Sequence, residues 1–307
     1  MTSPRSPLTA PMAGPCAPSP PAPSSGGAPR LATALRRQQV LPGFLGSGLV
    51  TVSVLGSLVV LPLCALLVFA ARVEPAAVAA ALTDARVLAA LRLSFGASLF
   101  AASVSVPIGL LLAWVLGRHE FPGRRAMDAL VDIPFALPTA VSGIALAWLY
   151  GPHGWVGQLL APLGIQVAFQ RAGIVLALIF IGLPLVVRSI QPVVAELRRD
   201  HEEAAATLGA TGLQTFLRVT LPALRPALLT GFALSFARGV GEYGSVIFIA
   251  GNMPLRTEVA PLLIVSRLEM YDYAGAFVIA VAMLAVSACT LLLLGRIQRA
   301  REVHHGS

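Results

Sequence analysis

The chain has no lysine: all 22 basic residues among its 307 are arginine. A P-loop reaches nucleotide phosphates with the lysine of its GK[ST] sequence, so P-loop ATP hydrolysis by this chain is excluded. Charge of either sign is scarce, at 12% of residues against about 25% in soluble domains. Hydrophobic residues make up 56% and mean hydropathy is +0.80, a membrane-class composition. Only three cysteines occur, Cys16, Cys64 and Cys289, none in CxxC spacing, so the sequence offers no redox or metal motif. His119, His153, His201, His304 and His305 fall in loops or the tail, without HExxH or GxSxG, and an intramembrane hydrolase lacks its parts. The isoelectric point near 10.6 does not indicate nucleic acid, because the arginines are scattered over short loops.

What is present is a series of long apolar runs. About 20 apolar residues cross a bilayer's hydrocarbon core, and six segments qualify: 48–71, 93–117, 129–150, 172–190, 227–250 and 274–294. Residues 1–40 carry nine of the 24 prolines and read as a disordered tail. Arg36 and Arg37 ahead of an apolar run invite a secretory reading. However, Val50 to Ala71 is uncharged for 22 residues, longer than the ~7–15 of a signal core, and an uncleaved anchor is expected. With both termini cytoplasmic, 15 arginines fall inside and six outside, and Arg238 lies within a span. The positive-inside rule therefore puts the loop around residues 191–226 in the cytoplasm. The third segment carries Pro134 and Pro138, each lacking an N–H donor. They produce either a packing kink or a flexible helix along a pathway.

That cytoplasmic loop reads EAAATLGATGLQTFLRVTLP over 203–222. Its first helix is expected from Val193 to Leu208, ending at Gly209, where glycine takes a left-handed cap cheaply. Thr211 and Gln214 form a T-x-x-Q capping box for a second helix. Leu213, Phe216 and Leu217 share a face of that helix, and Pro222 and Pro226 suit the first turn of the next span. Ala204 and Ala205 allow close backbone approach, and Glu203 offers a carboxylate to a basic partner or to a nearby arginine. The order Glu203-Ala204-Ala205, three residues, Gly209, nine residues, Val219-x-Leu221-Pro222 resembles the EAA loop by which permeases of ABC importers engage their ATPases. Val219 stands where isoleucine is usual.

The fifth segment holds Arg238 and Glu242, four residues apart and able to pair. A charge at a membrane-helix centre costs about 2.5–3.5 kcal/mol on insertion scales. Gly231, Ser235 and Gly239 repeat every four residues and permit close helix packing. Gly239, Gly241 and Gly244 weaken the helix around the charged pair. Two readings stay open: this stretch lines a translocation path, or the pair fixes helix register. The stretch 257–273, apolar in its middle and charged at both ends, is either an external gate or an interfacial helix.

Several stretches together resemble the sulfate/thiosulfate ABC transporter permeases of the CysT type: 130–150, 173–197, the EAA loop, 236–254 and 260–276. The resemblance covers roughly 46–295. It implies an all-α type I importer permease fold of six transmembrane helices with a cytoplasmic coupling-helix hairpin. It divides the chain into a Pro-rich tail (1–45), a first helix and periplasmic loop (46–90), a permease core (91–295) and a cytoplasmic tail (296–307). It further implies a multi-pass protein of the bacterial inner membrane, working with a related second permease, two ATP-binding subunits and a periplasmic sulfate/thiosulfate-binding protein. No cofactor is expected on this chain, since ATP and Mg would sit on the ATPase partner. The molybdate/tungstate permeases share the EAA loop and a similar glycine-rich run, but usually have five spans. A stand-alone channel or secondary carrier would not need such a hairpin. The long Pro-rich tail departs from the pattern, and nothing is carried over onto it.

Overall fold

The computed structural model describes residues 44–197 and 200–305. The tail expected to be disordered lies almost wholly outside these residues, as do Arg198 and Arg199. Every regular element among the described residues is helical. The chain divides at Val60 into two units. In the first, helix α1 (Phe44–Leu55) runs into a π turn at Gly56–Val60.

The second unit begins with α2 (Leu61–Ala71), α3 (Pro75–Thr83) and the long α4 (Ala85–Arg118). Then come α5 (Arg124–Ala136), α6 (Thr139–Tyr150), the short α7 (Trp155–Leu160) and α8 (Arg171–Glu196). The hairpin consists of α9 (Asp200–Thr207) and α10 (Gly212–Thr215), the latter continuing as a π turn over Phe216–Thr220. After it follow α11 (Leu221–Val240), α12 (Val246–Ile249), α13 (Ala260–Glu269) and α14 (Tyr273–His305).

Five stretches are long and apolar enough to cross a membrane: Gly46–Ala71, Ala85–Arg118, Arg171–Glu196, Gly212–Val240 and Tyr273–Leu293. A sixth counts if Arg124–Ala136 and Thr139–Leu163, bent by 109°, are taken as one. The expected third span at 129–150 is thus broken rather than kinked. Leu137, which precedes Pro138, has φ −84° and ψ 137°, the extended geometry that a following proline imposes. The expected fifth span at 227–250 ends early too, at Val240, and opens across Gly241–Ser245. The first hairpin helix, expected over 193–208, is interrupted at Leu197, whose ψ of 118° is extended. A division at 90/91 falls inside α4, which begins at Ala85 because the Asp84 carboxylate accepts the Arg86 N–H at 2.9 Å.

Helices α4, α8 and α11 pack on one another at the centre, with Leu116, Ile190 and Leu224 fully buried between them. Lipid is as apolar as leucine, so close contact rather than water exclusion holds such helices together. Gly182 shows how close: a β-carbon there would stand 2.2 Å from the Ser235 hydroxyl oxygen. By contrast, Leu49, Val52, Leu58 and Leu61 are exposed, as suits helices facing hydrocarbon.

Candidate functional site

The hairpin forms as its local sequence dictates. Gly209 closes α9 with φ +82°, and the Thr211 hydroxyl accepts the Gln214 N–H while Gln214 Oε1 accepts the Thr211 N–H at 3.0 Å. One side of the hairpin is anchored to the end of α4. The Arg118 guanidinium donates to Glu202 Oε1 at 2.6 Å, and its side chain is only 10% exposed. It also lies 5.2 Å from the centre of the Trp114 ring, and that ring meets Phe216 edge-on at 5.8 Å. Both hairpin arms therefore hold the same helix terminus.

The other side is open. Glu203 and Ala204 are exposed, Leu213 and Leu217 stand half or more out of contact, and Leu208 is 89% exposed. Leu221 and Pro222 are partly buried at the start of α11, and Ala205 is partly buried on α9. The carboxylate that pairs within the chain is thus Glu202, whereas Glu203 has no ion pair among the described residues.

A second charged cluster, which the motif search did not anticipate, joins α5 to α8. Arg188 reaches Asp132 at 2.6 Å and Asp128 at 2.8 Å, and Gln191 adds a bond to Asp128 at 3.1 Å. Two aspartates four residues apart on one helix repel, and that repulsion was the sequence signal for a cation between them.

The candidate path residues divide into two groups. Ser235 and Gly239 are buried, Ser235 against Gly182 of α8 and Gly239 against Ser98 of α4. The others bring the two helix breaks together. A β-carbon on Gly244 would lie 2.3 Å from Thr139 Oγ1, and one on Gly143 2.3 Å from the Ser245 carbonyl oxygen. The gap in α11–α12 thus rests on the start of α6, one residue beyond Pro138. Pro134 lies a turn earlier, in α5. Glu242 pairs with Arg238 and also accepts the Ser245 N–H at 2.9 Å and the Ser245 hydroxyl at 3.1 Å. Its side chain is buried, while Arg238 remains partly exposed and Gly241 is exposed.

At the opposite end of the bundle, α13 is clamped at both ends. Arg86 donates twice to the buried Glu258, each at 2.7 Å, and Ala260 N–H donates to Ser94 Oγ at 2.8 Å. Arg267 bridges Asp84 at 3.0 Å and Asp272 at 2.8 Å. The Gly275 backbone N–H, and then Arg267, hold the Asp272 carboxyl below the usual carboxylate range. Clamped in this way, the segment buries Ala260, Leu262 and Leu263 against the bundle.

A multi-pass helical protein whose membrane segments break where they meet has the architecture of a transport subunit, since discontinuous helices leave backbone groups free within the bundle. Residues 105–303 match the family described as "Binding-protein-dependent transport system inner membrane component". The chain belongs to that family. It is 47% identical over 250 residues to the "Sulfate transport system permease protein CysT" of Synechocystis sp., spanning 81% of this chain and 87% of that protein. To the protein of the same name from Salmonella typhimurium it is 45% identical over 268 residues, 86% of this chain and 96% of the other. The resemblance to the sulfate permeases thus extends over most of the chain. Its fold is similar to that in the crystal structure of a bacterial ABC transporter importing the acidic polysaccharide alginate, with TM-score 0.70 and 16% identity over 89% of this chain and 99% of that one.

Proposed function

We propose that this chain is one permease subunit of an ATP-driven importer for sulfate and thiosulfate. The observation that carries the reading is the hairpin: anchored inward through Glu202 and Phe216, open outward through Glu203, Ala204, Leu208 and Leu213. Exposed leucines on a polar loop suit a surface that a soluble protein covers. That protein is an ATP-binding subunit carrying the ATP and Mg. Two such subunits, a related second permease and a periplasmic sulfate-binding protein complete the assembly. The hairpin faces the cytoplasm, with both termini on that side, in the bacterial inner membrane. ATP binding draws the paired hairpins together, and Arg118 passes the movement to α4 while α11 follows the second arm directly. The facing breaks around Pro138 and Gly241–Ser245, with Arg238 beside them, line the path. The carried anion meets freed N–H groups there rather than hydrocarbon. The names of the relatives support sulfate as the cargo.

The test is co-purification with the partner subunits, then uptake of labelled sulfate into proteoliposomes with molybdate as competitor. ATP-dependent sulfate uptake supports the proposal; molybdate uptake without sulfate uptake overturns the substrate. Glu242→Gln separates path from scaffold: normal transport by a normally assembled variant removes this pair from the path.

A further inference from the structure

Helix α8 has 26 residues, so its ends lie about 39 Å apart. The hairpin follows its C-terminal end, and its N-terminal end, at Arg171, is therefore on the opposite face. A cavity of about 830 Å³ opens there, between the loop after α6, the segment 164–172 and the turn 251–257. That volume falls in the range of ordinary ligand sites.

The wall is part apolar, with Ile165, Val167, Phe169 and Met253. Arg171, Arg256, Gln166, Gln170, Thr257 and Tyr150 supply its polar groups, and no aspartate or glutamate lines it. Elsewhere on this face, Arg86 and Arg267 are neutralised by carboxylates, whereas Arg72 and Arg92 have no ion pair among the described residues and do not line the cavity. Arg171 and Arg256 have no ion pair among the described residues. Arg171 uses one N–H, donating from Nε to the Arg256 carbonyl at 2.9 Å. Four of its donors and all five of Arg256 are left for a ligand. The first turn of α8 adds its positive dipole end and the N–H groups of Arg171 and Ala172, since Gln170 makes no side-chain cap and its carbonyl takes only the Gly173 and Ile174 N–H groups.

The site is also held in shape. The Arg171–Arg256 bond and a 2.8 Å bond from Phe169 N–H to the Ile249 carbonyl tie its two walls together. Phe169, Asn252 and Leu255 take φ of 62°, 45° and 64°, three of the four non-glycine residues with positive φ among the described residues. Such backbone is strained and persists where the surrounding structure over-determines it.

We propose that this cavity is an outer oxyanion site taking an inorganic tetrahedral dianion, sulfate, before it enters the path between the helix breaks. The inference rests on the orientation and cargo proposed above. The two guanidiniums and the helix terminus raise the local concentration of the dianion at the mouth and discriminate by charge more than by shape.

The experiment uses the complete membrane complex of permeases and ATPases in nanodiscs, without the binding protein, and measures equilibrium binding of labelled sulfate with chloride as control. The wild type binds saturably and more weakly as salt rises. Arg256→Gln weakens binding about tenfold, the scale of one lost charge-assisted hydrogen bond, and the Arg171→Gln/Arg256→Gln double variant abolishes it. Arg256→Gln keeps the backbone carbonyl that fixes Arg171, so its loss of affinity is not a loss of fold. Absent wild-type binding, or unchanged affinity in the variants, overturns the site. So does a variant that keeps sulfate affinity but loses capture of the binding protein, because the arginines then serve a protein carboxylate. Uptake by the wild-type complex with its binding protein, measured on the same preparation, reports separately on the cargo. Failure to carry sulfate would sink the functional proposal, whereas uptake without arginine-dependent binding would sink only this cavity.

Discussion

Replacing Glu202 by alanine should release the hairpin from α4 without disturbing the surface that docks a partner. Arg118 is only 10% exposed, its Nε lacks an acceptor, and the 2.6 Å bond to Glu202 is its one ion pair among the described residues. Breaking a fully buried pair costs about 3–5 kcal/mol, but Glu202 is 28% exposed and water will partly replace it. A charge-assisted hydrogen bond is worth about 1.5–3 kcal/mol, and about 2 kcal/mol is expected here. At 1.4 kcal/mol per factor of ten, the undocked hairpin becomes roughly 30-fold more populated. Hydrogen exchange over 200–220 reads this directly, and ATP hydrolysis per sulfate carried reads the lost coupling. Glu203→Ala is the control: amide protection stays as in the wild type while co-purification of the ATPase falls. The Arg118→Ala/Glu202→Ala double variant should be less damaged than the sum of the two single changes, since no charge is left stranded. If exchange over 200–220 in Glu202→Ala stays within twofold of the wild type, or if Glu202→Ala and Glu203→Ala behave alike, the anchoring argument is wrong.

Three further outcomes are expected. Gly143→Ala forces a β-carbon to 2.3 Å from the Ser245 carbonyl oxygen and 2.6 Å from its Cα. Because backbone cannot swing aside, a loss of about 3 kcal/mol is expected, seen as a lower melting temperature in detergent. Gly241→Ala meets nothing within 4 Å and should melt as the wild type does. Thr211→Ala removes the capping box and about 1 kcal/mol, giving faster exchange confined to residues 211–216. Asp272 has a lowered folded pKa, so its stabilising contribution is complete above the ordinary carboxylate value of about 3.9. That contribution disappears as pH falls through the lower folded value. Exchange in the first turn of α14 should therefore rise steeply only at strongly acid pH in the wild type, and Asp272→Ala should lack that step.

The hairpin was legible because its signals are local: a glycine stop, a capping box four residues long and a fixed spacing. Pro134 and Pro138 announced only a kink or a flexible helix, although the residue before a proline is pushed to extended geometry, as Leu137 is. The 109° bend was not legible, because the angle depends on where α6 finds packing against Gly244 and Ser245. Glu203 reads as offering its carboxylate to a basic partner or to a nearby arginine, and the pairing of Arg118 with Glu202 was not legible for a related reason. Which glutamate faces Arg118 depends on the phase of α9, and the interruption at Leu197 resets that phase. Arg118 and Glu202 are 84 residues apart, and Arg188 and Asp128 are 60 apart. No periodicity within one segment encodes such pairs, although uncompensated charge in an apolar chain announces that partners exist.

The paired hydrogen bonds from Arg86 to the buried Glu258 set an order on how the protein is made. The two residues are separated by 172 positions, which a ribosome traverses in roughly 10 to 30 seconds. Throughout that interval the Arg86 guanidinium, in the first turn of α4, has yet to meet the Glu258 carboxylate. That end of the bundle can close only when the segment before α13 has been made, among the last parts of the chain to be synthesised. A chain cut short after α11 would therefore hold the residues of its three central helices and still lack the carboxylate that pairs with Arg86.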